Sequence, residues 1–462
     1  MNAIPASGGP NVVIQAASDN TLTLNVNGEV REIHNRLDEL KTLLQNLKVQ
    51  NIQYADKIYN IEHINEANFG VVTSNRVFNA VLTRELIGLL RDRPPIARFL
   101  SSIPEADKAA WECVRTHLRE AQGLLEDSLV WIIGWEMRRL FSIGNDRDKS
   151  LETKTGEYIL HCFSLARLSL QLANSLLLSK LWDIKKSGQV IPIAQRPLNT
   201  FFCTYRPLKL SELSELFRTL LTIFRDHALE FPIHEINDKN LPVFLDAEGP
   251  FQEACRSIGQ LESLNEQNER YGLAHCHSAE IALAAILRHF PFFTTYQLVS
   301  MKKVEYEQIR NTRPRYIKDF SILEKKESKN LQRILKYDEN ATLTYALFFA
   351  RERITVNLFP FFLDFNTLTN EQDFQIYCYE CRQGNSGLRF LSLKTEKEDT
   401  IYYRATQAGV REIATEEQKN EEQKNIRLDL VIMQFEDAMN TILDTDEHFE
   451  TAGGTVAANY SF

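Results

Sequence analysis

The 462-residue sequence lacks the signatures of the common nucleotide-dependent and hydrolytic enzymes. It has no G-x4-G-K-[ST] phosphate loop, no G-x-G-x-x-G after a strand, no G-x-S-x-G elbow, no H-E-x-x-H and no kinase motif set. It also lacks an uncharged apolar run of membrane-spanning length, because the most apolar stretch, 165–182, carries Arg167, Asn174 and Lys180. The opening MNAIPASGGP has neither the basic nor the apolar region of a secretory signal. These absences predict a cytoplasmic protein with no membrane partner. Its seven cysteines, an odd number and mostly isolated, are unlike a disulfide framework and predict reduced, packed thiols. Neither a metal nor a cofactor is expected.

What is present suffices for a substantial core: 44% of residues are apolar and 25% charged, over a length that suits about two to four domains. The formal charge is −9, from 62 acidic and 53 basic residues, which argues against a surface built throughout to hold nucleic acid. That charge is unevenly placed. Residues 302–336 hold eleven basic against five acidic residues, and 411–462 hold four basic against twelve acidic. The basic stretch reads as a connector that the acidic end could fold over and mask.

Along the chain, 12–16 and 21–26 alternate apolar and polar residues around Ser18-Asp19-Asn20 and predict a hairpin. Next, Ile33, Leu37, Leu40, Leu44 and Leu47 recur at spacings of 4, 3, 4 and 3, the a/d seam of a short coiled coil. About two heptads make a helix that is marginal alone, so the seam predicts self-association. A short strand is expected near Ile58. From Ser74 to Pro291 the periodicity is helical, with Pro94 and Pro95 ending one helix and Pro104 opening the next. The stretch from Tyr158 to Lys186 is apolar nearly all round and predicts a helix buried between others. Beyond Phe293, short runs rich in Tyr, Phe, Ile, Val and Thr predict strands, followed by the repeat EEQKN-EEQKN and a terminal helix. The expected class is α+β, with a mostly antiparallel sheet. The expected division is a hairpin and coiled-coil segment (1–70), a helical domain (71–292), a β-rich domain (293–410) and an acidic helix and tail (411–462).

Three groups of residues could carry chemistry. Arg270 with His275 and His277 gives the R-x4-H and R-x6-H spacings, which resemble the catalytic signature of HEPN-type ribonucleases; the resemblance implies metal-independent RNA cleavage by imidazole and guanidinium. The competing reading, which chance spacing favours, is a helix start with surface histidines. Lys302, Lys303, Arg310, Arg313, Arg315 and Lys318, interleaved with Tyr306 and Tyr316, could hold a polyanion, although a structural role is favoured over nucleic-acid binding. Cys378 and Cys381 form a lone C-x-x-C in a strand-like run and read as packed thiols.

Residues 11–70, NVVIQAASDNTLTLNVNGEVREIHNRLDELKTLL followed by QYADKIYNIEHINEANFG, resemble N-terminal interaction segments of bacterial conflict and immunity proteins. The resemblance implies a non-enzymatic interaction or adaptor protein of a bacterial defence or signalling system, with itself and another protein of that system as partners. A second alternative makes it the substrate of a partner caspase-like protease, cut in an exposed loop between Thr395 and Asn425.

Overall fold

A computed structural model describes residues 12–17, 21–26, 29–34, 51–54, 57–60, 78–105, 107–108, 110–143, 151–192, 195–237, 240–266, 271–307, 315–323, 334–338, 347–351, 354–364, 376–383, 387–393, 400–402 and 416–444, with side chains over a smaller set. The chain divides into two units, 1–76 and 77–462. The fold is α+β.

The first unit is a five-stranded sheet of β1 (Val12–Ala17), β2 (Thr21–Val26), β3 (Glu29–His34), β4 (Asn51–Tyr54) and β5 (Lys57–Asn60), in the order β3-β2-β1-β4-β5. The expected hairpin is β1 with β2. Ile33, however, stands in β3 opposite Leu22 and not on a helix. The reason lies in the two residues between β2 and β3, Asn27-Gly28, a dipeptide suited to the tight turn that continues a hairpin. Leu37, Leu40, Leu44 and Leu47 lie outside the described residues. Within the sheet β1 and β4 are parallel, and the other pairs are antiparallel.

The second unit begins with α1 (Ala80–Leu89) and α2 (Pro94–Ser102). Pro94 opens α2 instead of simply closing α1, since proline at the first helical position gives up a donor that has no intrahelical partner. The single helix expected after Pro104 is two: α3 (Arg115–Ser128) and α4 (Trp131–Ile143). Between them the Val130 N–H donates to the Phe293 carbonyl at 2.6 Å, a tertiary bond with no local sequence signal. Gly134 lets the two helices touch, because a Cβ there would stand 2.6 Å from the Glu126 carbonyl oxygen.

The long α5 (Leu151–Lys186) is the axis of the body. From Leu165 to Leu181 it is almost wholly buried, against α4, α7 (Leu210–Asp226), α9 (Pro250–Glu266) and α10 (Leu273–Arg288). The polar residues that interrupt its apolar run fix its neighbours: Asn174 Nδ2 donates to the Leu213 carbonyl at 3.0 Å, and Arg167 Nη2 lies 3.5 Å from Glu380. The short α6 (Gln195–Cys203) and α8 (Leu241–Leu245) complete the helical layer before the sheets.

Two further sheets follow. One has the order β10-β9-β6-β7-β8, from β6 (Gln297–Glu307), β7 (Arg315–Ile322), β8 (Ile334–Asp338), β9 (Leu347–Arg351) and β10 (Ile354–Asn357). The other runs β11-β12-β13-β14, from β11 (Phe362–Asp364), β12 (Ile376–Gln383), β13 (Gly387–Ser392) and β14 (Thr400–Tyr402). All of their pairings are antiparallel. The basic stretch 302–336 is therefore no connector, since it contributes to β6, β7 and β8.

The helical region and the strands share one core. A single apolar cluster runs from Leu82 through Leu176, Phe217 and Phe290 into Phe349, Phe361, Tyr379 and Phe390, and on to Phe435 and Leu443. Phe435 and Leu443 belong to the last helix, α11 (Glu416–Leu443), which also contains the EEQKN repeat, so the expected exposed loop is helical from Glu416 onward. Asp437 pairs with Lys186 at 2.6 Å, and the end of the helix is held by Lys185, whose Nζ donates to the Ile442 carbonyl at 3.1 Å and to Asp444.

Candidate functional site

The polar centre of the body lies where α1 meets α5 and α10. A helix N-terminus has four N–H groups without intrahelical partners, which a Ser, Thr, Asp or Asn side chain normally caps. Asn79 precedes α1 but gives no such cap; it is buried and adopts a left-handed conformation with φ of 70°. Its side chain is spent elsewhere. Nδ2 donates to the Leu140 carbonyl at 3.3 Å, and Oδ1 accepts the Tyr158 hydroxyl at 2.9 Å. The cap comes from 198 residues away, where Glu280 Oε1 accepts the Leu82 N–H at 2.8 Å.

Glu280 is 5% exposed, and burial raises its carboxyl to about 7 in spite of bonds from the backbone of Leu82, Val81 and Asn79. Around it stand Tyr158 and Cys162 of α5 and Cys276 of α10. Burial, then the charge of Glu280, pushes Tyr158 and Cys162 well up and Cys276 to about 12. All three are neutral at physiological pH. Sequence reasoning missed this centre, although a signal was present: Glu280 falls on the same helical stripe as Cys276, Leu283 and Leu287, all of them buried.

The outer side of α1 borders an open groove of about 410 Å³. Ile87, Leu100 and Trp111 give it an apolar floor, and Arg84, Arg91 and Arg288 stand on its rim. Arg84 is paired with Glu112 at 2.9 Å and Arg288 with Glu85. Arg91 is 74% exposed, with Asp92 at 3.9 Å. Its lining residues carry no thiol, hydroxyl or imidazole group.

The residues singled out by sequence fall elsewhere. His275 Nδ1 accepts the Gly272 N–H at 3.1 Å, a capping role at the start of α10, and its ring meets Tyr271 edge-on. His277 is two residues on, about 200° around the helix, so the two imidazoles leave α10 in nearly opposite directions. Arg270 lies outside the described residues. Cys276 and Glu280, on the same helix, turn inward.

Cys378 and Cys381 are buried thiols in β12, both pushed up by burial. A bulge between Tyr379 and Cys381 sets them opposite Leu391 and Arg389, on one face of the strand pair. Glu380, in the bulge, pairs with Arg389 at 2.9 Å.

The basic set is divided by strand register. Lys303 is opposite Asp319 and Arg315 opposite Glu307, whereas Lys318 stands between Val304 and Lys336. Lys302 falls at a bulge, and Arg310 and Arg313 lie outside the described residues. Among the described residues no helix is long and apolar enough to cross a membrane. No protein-family model, no curated protein and no solved structure matches this chain.

Proposed function

We propose that this chain is a non-enzymatic, self-associating interaction protein of a bacterial defence or signalling system, which assembles through its first unit and offers its body to another protein of that system. The observation that carries this reading is the division of the chain at Arg76, with a five-stranded sheet on its N-terminal side. That sheet has edges at β3 and β5, and edge strands offer unpaired N–H and C=O groups to a second copy. Leu37, Leu40, Leu44 and Leu47 follow β3 directly in sequence and recur at spacings of 3, 4 and 3, the pattern of a coiled-coil seam. The reading gains further support from the body, where His275, Glu280, Cys378 and Cys381 are engaged in capping and packing.

Light scattering on the full chain and on residues 77–462 tests it. The expected result is a multiple of 53.4 kDa for the full chain and a monomer for the shorter one. Monomers in both cases would overturn the proposal.

A further inference from the structure

The α1 helix is the first element of the body, and its seat depends on a group it does not own. Its N-terminal amides are capped by a carboxylate from α10, in a pocket closed to water. From α5 the Tyr158 phenol and the Cys162 thiol face that carboxylate, from α10 itself the Cys276 thiol, and from the start of α1 the backbone amides of Asn79, Val81 and Leu82. The charged residues of α1 are engaged on its outer side, Arg84 with Glu112 and Glu85 with Arg288. Asn79 ties the same point to α4 and α5 through Leu140 and Tyr158.

We infer that Glu280 is a proton-operated latch on α1: protonated, it holds the helix and the groove beside it in place, and ionised, it favours release of the helix into water.

The physical reason is the conflict at a single carboxyl group. Three amide donors favour the carboxylate, whereas enclosure without a facing cation among the described residues penalises its charge, and enclosure prevails. When α1 lifts, water reaches Glu280 and the penalty vanishes. Opening is therefore linked to loss of a proton. With the enclosed carboxyl at about 7 and the hydrated one at its ordinary 4.5, the opening equilibrium rises about tenfold between pH 6 and pH 8 and flattens above. Tyr158, Cys162 and Cys276 take no part in this range, being raised above it. The device is independent of self-association, because every group in it belongs to the body.

Amide hydrogen exchange on the full chain, corrected for the intrinsic pH dependence of exchange, measures it. Between pH 6 and pH 8 the Val81 and Leu82 amides should lose about tenfold in protection relative to those of Leu216 and Phe217 in α7. Glu280→Gln should abolish that differential loss. The wild-type differential between α1 and α7 keeps the test decisive where Glu280→Gln does not fold. Equal protection of α1 and α7 across the range in the wild-type chain overturns the latch, as does an undiminished slope in Glu280→Gln.

Discussion

Replacing Phe435 by alanine asks how much of the body's stability rests on its last helix. The ring is fully enclosed, 4.4 Å from Tyr379, 5.5 Å from Phe202 and 6.1 Å from Phe361 between centroids, with the Arg382 guanidinium at 6.0 Å. Truncating a buried phenylalanine costs about 3–5 kcal/mol, and the value rises where the surroundings cannot close the void. Here they are fixed. Arg382 Nε donates to the Phe202 carbonyl at 2.8 Å, and the Tyr379 hydroxyl donates to the Phe201 carbonyl at 3.3 Å, so β12 and α6 hold each other in place. The expectation is the upper half of that range. With a urea m-value of about 3 kcal/mol/M, the unfolding midpoint should fall by about 1.5 M. Circular dichroism during urea titration is the assay, and Met433→Ala, at a 61% exposed position on the same helix, should change stability by less than about 0.5 kcal/mol. A cost below about 1 kcal/mol for Phe435→Ala would mean that α11 is not part of the core, and would refute the reasoning.

Other perturbations have equally definite outcomes. Gly134→Ala sets a methyl group against the Glu126 backbone and should destabilise by about 1–2 kcal/mol in urea titration, after the helix-propensity gain of about 1 kcal/mol is counted. Gly123→Ala, with nothing within 4 Å, should instead stabilise by up to about 1 kcal/mol. Lys185→Met leaves the Ile442 carbonyl without its buried donor and should cost about 1–3 kcal/mol, with faster exchange of the α11 amides. Although burial pushes Glu136 up, the His161 hydrogen bond at 2.8 Å and the Arg139 charge hold it below its ordinary 4.5. A depressed carboxyl stabilises above its unfolded value and loses that contribution as pH falls through the folded one. The urea midpoint should therefore drop below about pH 4.5, and Glu136→Gln should flatten that part of the curve.

Periodicity made much of this fold legible. The all-round apolar run of α5 has no reading other than burial, and the aromatic runs after Phe293 are short and bounded by turn residues, as strands are. What escaped was decided by contacts distant in sequence. The break between α3 and α4 has neither proline nor glycine at the joint, only a bond from Val130 to Phe293. The strand β8, ILKYD, is short and charged, and pairs as an edge to β7. Ile33 fits both a heptad and a strand, and the turn dipeptide before β3 is what decides between them. Of the candidate sites, histidines and lysines attract notice by residue type, whereas the buried centre is built on Glu280, legible only as a carboxylate on an apolar stripe.

The length of α5 has a mechanical consequence. At 1.5 Å per residue, its contacts at Tyr158, beside the start of α1, and at Lys185, beside the end of α11, lie about 40 Å apart along one unbroken rod. The incoming and outgoing ends of the body are thus braced at opposite ends of a single stiff strut. A tilt of a few degrees at one end becomes a sideways displacement of about 2–3 Å at the other, so whatever pulls on α1 has leverage on α11 without any refolding in between.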